Sequence, residues 1–93
     1  MATYALIYKM VDMEKNAANR PAHMEFLRSM LRAGRIRSGW KFPDYRNDMI
    51  QAVLICEAES KAEVAAWFTE DPIISSGART FEVREAEQMA ISY

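Results

Sequence analysis

The stretch NRPAHMEFLRSMLRAG, Asn19 to Gly34, holds the only histidine of the 93-residue chain. An imidazole gains and loses a proton near neutral pH, so His23 in a pocket would be a natural general base. The spacing predicts a helix from about Arg20 to Ala33, capped by Asn19 or Arg20. Pro21 fits its first turn, where a missing N–H is no loss, and Gly34 fits its end. His23 then opens an apolar stripe with Leu27, Met30 and Gly34, flanked by Phe26 and Leu31. A helix start and apolar neighbours both favour the neutral imidazole that a base needs. Asp71, just before Pro72, is expected at the end of the second helix. A carboxylate there needs a donor, and an imidazole N–H is one. Asp71 would fix the tautomer of His23 and stabilise the imidazolium that forms. Spacing alone leaves a second reading open: His23 as a core residue and Asp71-Pro72 as a plain helix stop.

The elements that must position this pair follow from the pattern. Thr3–Val11 is a strand with apolar groups on both faces, Tyr4, Leu6, Tyr8 and Met10 on one, Ala5, Ile7 and Val11 on the other. Asp12–Asn19 reads as a polar connector. A second strand over Ile36–Phe42 is interrupted at Ser38-Gly39, and Pro43–Asp48 turns into a third strand, Ile50–Ala58. Ser60 and Glu63 form a capping box for helix 2, whose inner face carries Val64, Ala65 and Phe68. Ile73–Gly77 is a short link before the last strand. The order βαββαβ predicts an α+β, ferredoxin-like fold: a four-stranded antiparallel sheet in the order 4-1-3-2, with both helices on one face. That topology brings the start of helix 1, the end of helix 2 and the strand 2–3 turn to one end of the sheet. Arg20, Tyr45 or Arg46 could there hold an anionic oxygen, against the alternative of solvated surface. Tyr8 and Trp40 could line the pocket, against the alternative of ordinary packing.

Length predicts one domain over 1–93. Net charge is −1 with both signs interspersed, so nothing suggests nucleic acid. No apolar run reaches the roughly 20 residues of a membrane span. The lone cysteine, Cys56, lies in the apolar run AVLIC and reads as a buried reduced thiol. With no signal-peptide pattern at the start, this predicts a cytoplasmic protein. One histidine and one buried cysteine are a poor zinc set, and there is no Gly-rich phosphate loop, so neither metal nor cofactor is expected. Strand 1 and strand 3 are apolar on both faces, strand 3 with Val53 and Ile55 on one and Ala52, Leu54 and Cys56 on the other, so the helix-free sheet face would present an apolar patch. This predicts a homodimer through that face, with Met89, Ile91 and Tyr93 of the tail reaching across.

The chain resembles the YciI-like family at Arg20-Pro21-Ala22-His23, at Gly34 with the following Gly39, at Trp67, and at Asp71-Pro72 with Gly77. The matched features run over most of the chain. The family pattern usually has Gly-Pro where this chain has Gly39-Trp40, and its strand 2–3 loop is often longer. The resemblance implies a dimeric α/β barrel of ferredoxin-like units joined sheet to sheet, and a His–Asp site at His23 and Asp71. One member type eliminates chloride from a chlorinated hydroxyquinol. The implied function is therefore a lyase or isomerase-type enzyme acting on a small molecule by proton abstraction. The alternative is a non-catalytic ligand-binding or interaction module on the same dimer.

Overall fold

A computed structural model of the chain describes residues 1–91. In chain order the elements are β1 (Ala2–Met10), α1 (Met13–Arg32), β2 (Ile36–Lys41), β3 (Ile50–Ala58), α2 (Lys61–Thr69), α3 (Pro72–Ser75) and β4 (Arg79–Glu85). The sheet runs β2-β3-β1-β4 with every neighbouring pair antiparallel, the expected ferredoxin-like order. Central β1 sets Leu6 opposite Leu54 on one side and opposite Val83 on the other. Its even-numbered side chains, Tyr4, Leu6, Tyr8 and Met10, are buried, and Leu6, Tyr8 and Tyr4 join Leu54, Cys56, Val64 and Phe68 in the core. No helix among the described residues is long and apolar enough to cross a membrane.

Helix α1 departs from the expectation. It starts at Met13, not near Arg20, and the stretch read as a connector is helical. Asp12 is the N-cap, its carboxylate accepting from the N–H groups of Glu14 and Lys15. Met13, Glu14, Lys15, Ala17 and Ala18 are mostly strong helix formers, and that propensity outweighs one proline. Pro21 therefore sits inside the helix, where it leaves the carbonyl of Ala17 without its usual i+4 donor. Gly34, with φ +75, does follow the helix as the expected C′ residue. Leu31 is exposed, off the buried stripe.

The expected link after helix 2 also forms a helical turn, α3, rather than a plain connection. Asp71 caps it, accepting from Ile73 N–H at 3.0 Å, and Pro72 takes the first position, where it is preorganised. Ser60 accepts from Glu63 N–H at 3.1 Å and opens α2 as expected. Two irregularities break the ladders. One lies between Ile36 and Ser38 in β2, a residue before the expected position. The other lies on β3: Tyr8 faces Ala52 while Lys9 faces Ile50, so Gln51 is the extra residue of a bulge.

The helix-free face carries Ala5, Ile7, Val53 and Ile55, each partly exposed. Trp40, opposite Val53, is 72% exposed. After β4 the chain stays beside β1, with Ala86 N–H donating to Thr3 C=O at 3.0 Å. Met89 and Ile91 of the tail are exposed. Tyr93 lies outside the described residues.

Candidate active site

The imidazole of His23 hangs from the middle of α1, and the carboxylate of Asp71 from the junction of α2 and α3. His23 Nδ1 stands 2.9 and 3.0 Å from the two Asp71 oxygens. The side chains are only 4% and 0% exposed, so the pair is shielded from water. The contact joins residues 48 apart in sequence. The topology brings them together as expected, but the helix-end effect expected on His23 is absent. His23 is far from the N-terminus of α1, so the helix end does not act on it. Asp71 does follow the C-cap of α2, as expected, its N–H donating to Phe68 C=O, and it is at the same time the N-cap of α3.

Asp71 collects three kinds of donor. Besides His23 Nδ1–H and Ile73 N–H, the Tyr8 hydroxyl donates to Oδ2 at 2.6 Å. Burial first, and then the adjacent Asp71 charge, pushes the Tyr8 phenol well above its ordinary pKa, so it stays a proton donor. The Tyr8 ring meets the imidazole edge-on at 5.6 Å, and Phe68 meets Tyr8 edge-on at 6.1 Å. With Nδ1 turned to the carboxylate as donor, Nε2 is the acceptor nitrogen. Arg79 Nη1–H points to it at 3.4 Å.

Arg79 opens β4 and is nearly buried. Its Nε–H donates to Asn16 Oδ1 at 2.8 Å, and its guanidinium lies 5.0 Å from the centre of the Tyr8 ring. Burial lowers its pKa, opposed by Tyr8 and Asp71, but a guanidinium remains charged in a protein. Neither Arg79 nor Asn16 figured among the candidates. A signal existed for Arg79: alternation puts it on the face of Phe81 and Val83, and an arginine in an inward register is unusual.

A cavity of about 160 Å³ opens between α1 and the β2–β3 end of the sheet. His23 lines it, as do Tyr8, Arg20, Trp40 and Tyr45, so the structure gathers the predicted wall residues at one place. Asp71 stands behind His23 and does not line it. The roles differ within the set. Tyr8 offers its ring, its hydroxyl being engaged by Asp71. Arg20 and Trp40 are exposed, and Tyr45 is partly buried. Arg46 is not on the wall; its guanidinium donates to the carbonyls of Asp44 and Tyr45. Gln51, unmarked by any sequence pattern, is on the wall and 4% exposed. Gly39 is there too, opposite Leu54; a Cβ would meet Leu54 Cδ2 at 2.7 Å, so glycine keeps this wall open. Imidazole and guanidinium on one cleft, with the carboxylate behind the imidazole, can take a proton from a small acidic molecule and stabilise the anion left behind.

No curated protein sequence matches the chain significantly. Among solved structures, the chain is similar to a 5-chloro-2-hydroxyhydroquinone dehydrochlorinase, TftG, from Burkholderia phenoliruptrix, determined in complex with 2,5-dihydroxybenzoquinone. The TM-score is 0.72 at 24% sequence identity, covering 92% of this chain and 95% of that one. The likeness establishes a shared fold. The family model of the YCII-related domain matches residues 1–89, nearly the whole chain, and the protein belongs to that family.

Proposed function

We propose that the protein is a cofactor-independent lyase or isomerase-type enzyme for a small hydroxylated ring. His23 is its base and Asp71 orients that base. The observation that carries this reading is the buried His23–Asp71 hydrogen bond, which leaves the opposite nitrogen as the acceptor of a side chain that lines the cavity. The Nε2 lone pair, met by Arg79 Nη1 only at a long 3.4 Å, takes the substrate proton once the guanidinium turns to the substrate oxygen; Nδ1–H against a carboxylate is what stabilises the imidazolium.

The reaction favoured by the structural neighbour is dehydrochlorination of a chlorinated hydroxyhydroquinone. Nε2 takes one hydroxyl proton and returns it to the chlorine-bearing ring carbon, giving a ring ketone and restoring the neutral base. Loss of a second hydroxyl proton then drives an electron pair through the ring, forms the second C=O and expels chloride. Proton and chloride leave as HCl, and no external oxidant is required. The same base supports double-bond migration where no leaving group is present.

The unit is a single domain over 1–93, cytoplasmic and homodimeric through the helix-free sheet face. Partly exposed Ala5, Ile7, Val53 and Ile55, with exposed Trp40, support that assembly. The test is chloride release across a panel of chlorinated hydroquinones and catechols, with wild type and His23→Ala. Release by wild type, reduced about 10²–10⁴-fold in the variant, is expected for base catalysis. Binding without turnover on the whole panel would replace the enzyme with a ligand-binding module on the same fold.

A further inference from the structure

Two wall residues take no part in the His23–Asp71 pair, and both are buried polar groups. The first is Gln51. Its Oε1 is buried and accepts no hydrogen bond from any described residue. A buried acceptor left alone costs about 1–3 kcal/mol, so native proteins leave few of them, and those that occur call for an explanation. Alternation along β3 would send Gln51 outward with Val53 and Ile55. The bulge at this position instead turns it inward beside Ala52, which is buried as well. Bulges often re-aim a side chain next to an active site. The second is Arg79. Asn16 takes its Nε–H, and Nη1 lies 3.4 Å from His23 Nε2. A guanidinium has five N–H donors. Most of this one therefore remains for a ligand, with the base alongside.

We propose that Gln51 and Arg79 form the substrate-recognition pair of this cavity. Arg79 holds an oxyanion of the ligand, and Gln51 accepts a hydrogen bond from a separate hydroxyl on the same ring. The cavity suits one ring. A void of roughly 150 Å³ takes one benzene-sized ring, and this one measures about 160 Å³. The ligand class is therefore a single six-membered ring carrying an ionised oxygen and a protonated one. A ring with one oxygen satisfies Arg79 but leaves Gln51 alone; a neutral, oxygen-free ring satisfies neither. The pair also joins recognition to the proposed chemistry. Arg79 meets the negative charge that develops as His23 removes a proton, the kind of charge that preorganised donors stabilise.

The inference rests on the proposed reading of this cavity as the substrate site, and binding tests it apart from turnover. The probes are 4-nitrocatechol and 4-nitrophenol, titrated spectroscopically at a pH where both are phenolates; only the first has a second hydroxyl. Wild type should bind both, 4-nitrocatechol more tightly. Gln51→Leu should weaken 4-nitrocatechol roughly two- to ten-fold, the worth of one neutral hydrogen bond, and leave 4-nitrophenol unchanged. Its melting temperature should equal or exceed that of wild type, because an orphaned acceptor has been removed. Arg79→Met should weaken both probes. Should that variant fail to fold, Arg79→Lys, which keeps the charge and loses the planar fork, is expected to weaken both several-fold. Equal affinity of wild type for the two probes would overturn the proposal, as would no saturable binding. A Gln51→Leu protein that melts earlier and weakens both probes alike would also overturn it, assigning Gln51 to scaffolding. Probe selectivity without chloride release from any substrate would sink the reaction and leave the recognition pair standing.

Discussion

Asp71→Asn separates orientation from mere packing, because it changes charge and donor pattern at nearly constant shape. The carboxylate is 0% exposed and accepts from the Tyr8 hydroxyl at 2.6 Å, His23 Nδ1 at 2.9 Å and Ile73 N–H at 3.0 Å. A carboxamide has one acceptor oxygen and one donor nitrogen. With the oxygen held by Ile73 N–H, the NH₂ group faces Tyr8 and His23. The hydroxyl can rotate to accept, but His23 Nδ1 can accept only by giving up its proton. The tautomer then inverts: Nε2 becomes the N–H, pointed at Arg79 Nη1 3.4 Å away, and the cavity loses its base. In the serine-protease triad the same wrong-tautomer change lowers kcat about 10⁴-fold, so a loss of about 10²–10⁴-fold in chloride release is expected here. Losing one charge-assisted hydrogen bond costs about 1.5–3 kcal/mol, and each kcal/mol moves the midpoint of a domain this size by about 4–8 °C. The variant should therefore melt roughly 6–24 °C lower and still be folded at room temperature. Because His23 is the only histidine, long-range ¹⁵N–¹H correlation spectra report its tautomer without assignment. Wild type should show protonated Nδ1 and the variant protonated Nε2. An unchanged tautomer, or full turnover despite an inverted one, would refute the orienting role of Asp71.

Three other outcomes are expected. Tyr8→Phe keeps the ring against His23, Phe68 and Arg79 but removes the 2.6 Å donor to Asp71; denaturant titration should show a loss of about 1.5–3 kcal/mol, and a neutral result would mean that Asp71 does not need this donor. Sedimentation at micromolar concentration should show a homodimer, and Ile7→Lys on the helix-free face should dissociate it; a wild-type monomer would refute the assembly. Burial pushes the Cys56 thiol from its ordinary 9.0 up to about 11, so a thiol reagent should leave the folded protein unmodified near pH 8. The raised folded value means that the folded state holds this proton more tightly than the unfolded chain, so the Cys56 contribution to stability is complete below about pH 9 and is lost as pH rises toward 11. Rapid modification of the native protein at pH 8 would contradict the buried environment.

The order of elements, and through it the topology, is legible in the amino-acid sequence. Strand and helix periodicity, the Ser60 cap and the Gly34 stop are local signals, and βαββαβ chains have few ways to cover one face of a sheet. Once that order was read, the meeting of His23 with Asp71 and the gathering of Arg20 and Tyr45 at one cavity followed from topology. What sequence misplaced was decided by competition between local terms. Pro21 looked like a helix start, but Asp12 with a run of helix formers extended α1 backward, moving His23 from the first turn to mid-helix. Asp71 looked like a stop for one helix and is the cap of the next. The lining of the cavity depends instead on contacts between distant elements. Arg79 stands inward because Asn16, one turn inside the part of α1 that sequence missed, meets its Nε–H, and because the Tyr8 ring lies under its charge. Gln51 stands inward because one residue in β3 has no partner on β1. A strand has a period of two, so a single unpaired residue reverses which side chain faces the core, and no pattern along β3 alone marks where its partner strand will leave that residue out.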